Sequence, residues 1–252
     1  MGDSQATLSS DDGVLRFSIQ NWQVWPAGLE NPAARRAWLK GSEHPALTAD
    51  VDLAYVEPLA RRRLSPLARH ALHVANKTTD TSDRLPVVFA SRHGDLERSL
   101  AILVQLAQDE PPSPTAFSLS VHNATAGVHS IVRQDTSPST ALAAGEETLL
   151  WAWCEACLRL ADAEKVLLVY VESPLPAEYA KFAATREVPH ALAVVLTQGN
   201  QLQLGWHGNA DHRPSAQPLS LAMLDWLGNR RDHFDWHGLR LSLSACGHVS
   251  TP

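Results

Sequence analysis

The chain has 252 residues, 44% hydrophobic and 19% charged, with a formal net charge of −6. That length suits one large domain with a substantial core, and the acidic balance excludes general affinity for nucleic acid or an anionic membrane surface. Three cysteines (Cys154, Cys157 and Cys246) give no disulfide framework, and no run approaches the ~18 apolar residues that span a bilayer.

In chain order, residues 1–12 are polar, lack a signal-peptide core and read as a disordered N-terminus. Residues 13–252 read as a single domain, because no linker or internal repeat divides them. VLRFSIQNWQVW, residues 14–25, alternates as a first strand ended by Pro26-Ala27-Gly28. Asn31 and Pro32 then cap a short helix. Residues 56–76 are helical, with Ser65-Pro66 restarting the helix as N-cap and first residue. LPVVFA, residues 85–90, has the continuous apolar character of a buried parallel strand.

Residues 95–108 predict an amphipathic helix with Leu96, Leu100, Leu103, Val104 and Ala107 on one stripe. Pro111, Pro112 and Pro114 stiffen the connection into a strand expected at 117–121. A short helix, a strand at 136–141, a turn of small residues and a long apolar helix from about Gly145 follow. KVLLVYVE, residues 165–172, reads as a central strand. Residues 190–197 and 201–206 flank Gln198-Gly199-Asn200, a hairpin signal. A last helix at 219–229 leads to a final strand at 239–244. The alternation gives an α/β fold, a mixed sheet covered by helices with a hairpin towards the C-terminus.

Chemistry concentrates between Ser118 and Ala161. A strand running through a turn of small residues into a buried helix presents a side chain at a helix N-terminus, where backbone N–H groups and the dipole favour negative charge. Here Thr140-Ala141-Leu142-Ala143-Ala144-Gly145 forms that elbow, preceded by Val121-His122-Asn123-Ala124 and, further upstream, Ser91-Arg92-His93-Gly94-Asp95. These segments, in this order, resemble the N-terminal half of a β-ketoacyl synthase, best over residues 85–171. They resemble most the short chain-length-factor-like proteins of aryl polyene (xanthomonadin-type) pigment pathways.

The resemblance implies a truncated thiolase-like fold, half a ketosynthase. It also implies that the position of the acyl-accepting Cys is held by Leu142, which has no nucleophilic atom. The family's two catalytic His residues belong to a second half that this chain stops short of, and His207, His212, His233, His237 and His248 lie outside the family's His motifs. The expected role is therefore a non-catalytic partner that pairs with a catalytic ketosynthase and helps shape the tunnel taking the growing polyene.

By analogy with ketosynthase dimers, Val121, Asn123, Gly127, Thr136, Ser139, Thr140 and Ala141 are the expected interface, and Trp151 is a further candidate. Arg61, Arg62 and Arg63 offer a basic patch for an acyl carrier protein or, on the plainer reading, a solvated helix face. His93, Asp95 and Gly145 mark a pseudo-site. Ser91, His93 and Asp95 also leave open a thioesterase-like enzyme, although neighbours in sequence rarely take triad geometry. The plainer reading is that His93 and Asp95 cap a helix. A carrier-protein-binding regulator is the third possibility. Cys154 and Cys157, lying within a helix, read as packed thiols. No metal or cofactor is expected, the compartment is read as cytoplasmic, and a homodimer is allowed for the isolated chain.

Overall fold

The computed structural model describes residues 14–29, 31–39, 51–183, 187–206, 218–229, 233–236 and 239–243. Lys40, Ser244, Cys246 and the late histidines 207, 212, 237 and 248 lie outside these, as do residues 1–12. Seven strands form one mixed sheet: β1 Val14–Trp25, β2 Val87–Ala90, β3 Ser139–Leu142, β4 Lys165–Glu172, β5 His190–Trp206, β6 His233–Trp236 and β7 Leu239–Leu243. The spatial order is β3-β2-β4-β5-β7-β6, with β1 also paired to β5. β2 lies parallel to both β3 and β4, and the remaining pairs are antiparallel.

Eight helices are described: α1 Pro32–Leu39, α2 Pro58–Arg62, α3 Pro66–Thr78, α4 Leu96–Ala107, α5 Pro114–Ser118, α6 Ala124–Arg133, α7 Thr148–Arg159 and α8 Leu219–Asn229. Proline and a capping side chain start several of them. Glu57 accepts from the amides of Leu59 (3.0 Å) and Ala60 (3.1 Å) ahead of α2, and Ser65 accepts from Ala68 (3.2 Å) ahead of α3. Each such cap satisfies amides that the first helical turn leaves without partners.

The strict alternation of β4 explains why its sequence is apolar from Val166 to Val171. Val166, Leu168 and Tyr170 join one core with α7 and α8, while Leu167, Val169 and Val171 join another on the opposite face with α3. Trp153 of α7 is fully buried, its ring centred 5.6 Å from that of Phe17. On the other face Trp25 stacks on His70 of α3 at 3.5 Å. Both faces are thus covered by helices.

Three expectations are corrected. Residues 117–121 form no strand: Ser113 accepts from the Ala116 amide, Pro114 takes the first helical position, and α5 results. The turn at 198–200 makes no hairpin either. β5 runs unbroken through it, and the register with β1 jumps from Phe17↔Leu202 to Ser18↔Thr197, so residues 198–201 are looped out as a wide bulge. At that bulge Gly199 meets β1 so closely that a Cβ would sit 2.0 Å from the Ser18 hydroxyl oxygen. Beyond it β5 exchanges β4 for β7 as its neighbour, and the terminal hairpin is made by β6 and β7. Finally, the expected stripe of α4 does not form a buried face: Leu96 and Leu100 are half-buried, Leu103, Val104 and Ala107 are exposed, and the buried residue of the helix is Ile102, off the stripe.

Candidate functional site

β3 lies at the margin of the sheet. Two bonds bracket its pairing with β2, from Val87 N–H to the Pro138 carbonyl (2.9 Å) and from Ser91 N–H to the Leu142 carbonyl (3.2 Å). A ladder alternates, so residues 138, 140 and 142 face β2, and the backbone groups of Ser139 and Ala141 face outward. Both residues are exposed, and β3 has no second neighbour among the described residues.

Thr140 points instead towards α7. Its hydroxyl donates to Glu155 (3.2 Å) and accepts from the Arg159 guanidinium (2.7 Å), which also binds Glu155 at 2.9 Å. This triangle holds the strand on the helix and leaves the edge open.

The elbow after β3 is stitched by Thr148, whose hydroxyl accepts from the Ala144 amide (2.8 Å) and donates to the Gly145 carbonyl (2.7 Å). Gly145 takes φ +59°, a left-handed conformation that glycine supplies without strain. A tight turn Gly145–Glu147 intervenes before α7, so Glu146 and Glu147 precede the helix proper and do not occupy its first turn. Leu142 is half-buried and packs against the core. The elbow is thus a closed strand–turn–helix frame with a hydrocarbon side chain at Leu142.

The Asn-bearing segment and the turn at 91–95 meet beside this elbow. His122 donates from Nε2 to the Ser91 carbonyl at 2.8 Å, and the Ser91 hydroxyl accepts from the Gly94 amide at 2.9 Å. Gly94 has φ +62°, and a Cβ there would come 3.1 Å from the His122 ring, so glycine is needed on both counts. Asp95 caps α4, accepting from the Arg98 amide at 3.3 Å and pairing with its guanidinium at 3.2 Å. His93 lies 3.8 Å from Glu187. Ser91, His93 and Asp95 therefore serve three separate purposes and do not assemble a triad.

Several large apolar side chains are exposed. Val121, Leu103, Val104, Leu106, Phe117 and Ile131 (77% exposed) come from α4 to α6, with Trp151 and Leu158 from α7. Trp151 is held by its indole N–H, which donates to Glu147 at 3.1 Å. Asn123, Gly127 and Thr136 are exposed as well, and a Cβ on Gly127 would meet nothing within 4 Å.

Of the basic run, Arg62 and Arg63 face solvent, whereas Arg61 is half-buried with its guanidinium 3.5 Å from the Leu53 carbonyl. Beside them lies a groove of about 370 Å³ between the α2–α3 junction and helices α5 and α6, with Leu64, Leu119, Val128 and Val132 among its walls. Cys154 and Cys157 are free thiols, and burial pushes Cys154 up to about 11 and Cys157 well above the normal thiol range. They are inert packing groups.

The sequence reading missed one polar cluster. Glu172, the last residue of β4, is buried and accepts from the Arg92 amide at 2.6 Å. Burial raises its pKa to about 7. Close by, Glu187 accepts from the Leu175 amide at 2.7 Å and pairs with Arg92 at 3.7 Å, and His190 contacts Ser220 at 2.7 Å. The one available signal was a carboxylate closing an otherwise apolar run. No cluster of metal-ligating side chains occurs among the described residues, and no helix among them is long and apolar enough to cross a membrane.

Comparison with known proteins bears on this arrangement. The family model of the β-ketoacyl synthase N-terminal domain matches residues 35–241. Among solved structures, a chain of the ketosynthase (ApeO) in complex with its chain length factor (ApeC) from Xenorhabdus doucetiae is 29% identical. That match covers 90% of this chain and 99% of the other with a TM-score of 0.74, so the matched chain is as short as this one. The ishigamide ketosynthase/chain length factor is 17% identical, with 75% of this chain and 65% of that one covered at a TM-score of 0.58. A β-ketoacyl synthase from Burkholderia phymatum STM815 is 13% identical, with 86% and 71% covered at 0.56. These last two show the shared fold, and the mixed sheet with its helices is the thiolase-like arrangement expected from the sequence. No curated protein matches significantly.

Proposed function

This chain belongs to the β-ketoacyl synthase N-terminal domain family, and we propose that it is a chain-length-factor-like subunit, non-catalytic itself, that pairs with a catalytic β-ketoacyl synthase. One observation carries the reading: the strand–elbow–helix frame is intact and hydrogen-bonded, and Leu142, at the position the resemblance gives to the acyl-accepting residue, is a hydrocarbon. A hydrocarbon side chain cannot form a thioester. What the fold still offers is the open edge of β3 and the exposed apolar residues of α4 to α7.

In the proposed heterodimer Ser139 and Ala141 supply the outward backbone groups, with Val121, Asn123, Gly127 and Thr136 beside them. Thr140 contributes indirectly, by clamping the strand to α7. Leu103, Val104, Leu106 and Phe117 are then covered by the partner, which removes an apolar surface that a monomer would leave wet. The match to a chain of the ApeO–ApeC complex supports an aryl polyene setting, in which this subunit helps wall the tunnel for the polyene. His93, Asp95 and Gly145 are structural remnants of the pseudo-site. Arg62 and Arg63, more than Arg61, are the residues placed to meet an acidic acyl carrier protein. The reaction cycle belongs to the cytoplasm.

Co-expression with the ketosynthase of the same gene cluster tests the proposal. The expected result is a 1:1 complex on size exclusion; two proteins that elute separately at micromolar concentration overturn it. Hydrolysis of acyl-carrier thioesters by the isolated chain, lost in His93→Ala, would favour an enzyme instead.

A further inference from the structure

The groove of about 370 Å³ beside α2 is continuous with the core. Leu64, one of its walls, is a buried member of the cluster formed with Leu53, Val56, Ala68 and Leu72. Val128 and Val132 of α6 also line the groove and pack against that cluster. Leu119 and Ile131 add to the apolar lining, Ile131 with 77% of its surface exposed. Packing therefore holds the groove in shape, and its volume falls at the lower end of the ~300–1,000 Å³ usual for small-molecule sites.

Four arginines belong to this region, and three are engaged by the chain itself. Arg61 donates to the Leu53 carbonyl (3.5 Å), and Arg69 to the carbonyls of Leu64 and Arg61 (3.1 Å each). Arg98 donates to the Arg63 carbonyl (3.0 Å) and pairs with Asp95 (3.2 Å). Arg63 is the fourth. It lines the groove and is exposed, and its guanidinium has no partner among the described residues. Its backbone is fixed on both sides, by Arg98 on the carbonyl and by its own N–H on the Ala60 carbonyl (3.0 Å). No carboxylate lines the groove. In a chain of net charge −6, an apolar groove with one unopposed cation selects against the protein's own background charge.

We propose that this groove binds a free medium-chain acyl carboxylate. The hydrocarbon lies against Leu64, Leu119, Val128, Ile131 and Val132, where its burial supplies most of the affinity. The carboxylate, ionised at neutral pH, accepts charge-assisted hydrogen bonds from the Arg63 guanidinium. One groove with one cation suits one chain with one charged end. An acidic protein helix carries its charges along its length and would leave most of them unopposed here. The walls come from a single chain, so binding does not depend on pairing with a ketosynthase.

Titration of the purified chain with decanoate below its micelle concentration, read by amide NMR and calorimetry, tests the site. Decanamide is the neutral control of equal length. The expected result is saturable binding with shifts centred on Leu64, Leu119, Val128 and Val132. Decanoate should bind about fivefold more tightly than decanamide, the upper end for a solvent-exposed ion pair. Arg63→Gln should reduce that preference to within about twofold while decanamide binding persists. Ile131→Glu, at a position too exposed to disturb folding, should weaken decanoate by about fivefold or more through like-charge repulsion. No saturation at millimolar decanoate, shifts centred on α4 or α7 instead, or a preference unchanged in Arg63→Gln overturns the assignment. So does an acyl carrier protein that perturbs the groove amides when decanoate does not.

Discussion

Ala141→Pro isolates the open edge from the rest of the fold. Within the chain, residues 138, 140 and 142 make the bonds to β2, so the amide of Ala141 is not needed for folding. Proline is tolerated on an edge strand when its missing N–H would face outward, so the cost to the free subunit should stay under about 1 kcal/mol, as for other surface changes without a buried partner. Across the interface the same change deletes one donor, worth about 1 kcal/mol, and strands a carbonyl on the partner at about 1–3 kcal/mol. The sum, about 2–4 kcal/mol, is a loss of roughly 30- to 700-fold in affinity. Isothermal titration of the ketosynthase with wild-type and variant chains measures it, and thermal unfolding of the free variant supplies the control. A variant that folds normally and binds the ketosynthase as tightly as wild type would refute pairing through β3.

Other expectations concern the chain alone. Trp153→Ala should cost about 3–5 kcal/mol in urea unfolding, because the fully buried ring leaves a large cavity. Trp153→Phe should cost much less, since the indole N–H has no hydrogen-bond partner among the described residues. Gly199→Ala drives a Cβ into Ser18, so about 1–3 kcal/mol should be lost and largely recovered in the double variant with Ser18→Gly. Burial holds His129 down to about 4, so the stability it contributes is complete above about pH 6.5 and falls as pH drops towards 4. His129→Leu should flatten the stability profile near pH 5 by about 1.4 kcal/mol per pH unit, and unchanged slopes would show that this ring is not the source.

Where local pattern and burial agree, the sequence was a sufficient guide. β1 and β4 match their expected bounds, because alternation in one and a continuous apolar run in the other are what half-covered and doubly covered strands require. Ser65-Pro66 likewise announces α3. Expectations failed where a distant partner decides. Gln198-Gly199-Asn200 has the composition of a hairpin turn, yet β1 runs along both flanks and converts it to a bulge. The stripe of α4 has core periodicity, but periodicity cannot say which molecule covers it. The elbow was legible at Leu142. The Glu172 cluster was not, because it joins three segments that meet only after β2, β4 and β5 have paired.

The shortness of β3 has a consequence for the cell. With four residues and outward groups at Ser139 and Ala141 alone, the strand is too brief to template a growing fibril, since short edges are one way proteins blunt such pairing. The exposed apolar residues of α4 to α7 are not blunted in that way. If the chain pairs with a ketosynthase as proposed, copies made in excess should gather into loose, amorphous clusters or be cleared by proteases, and the steady-state amount should track the supply of that partner.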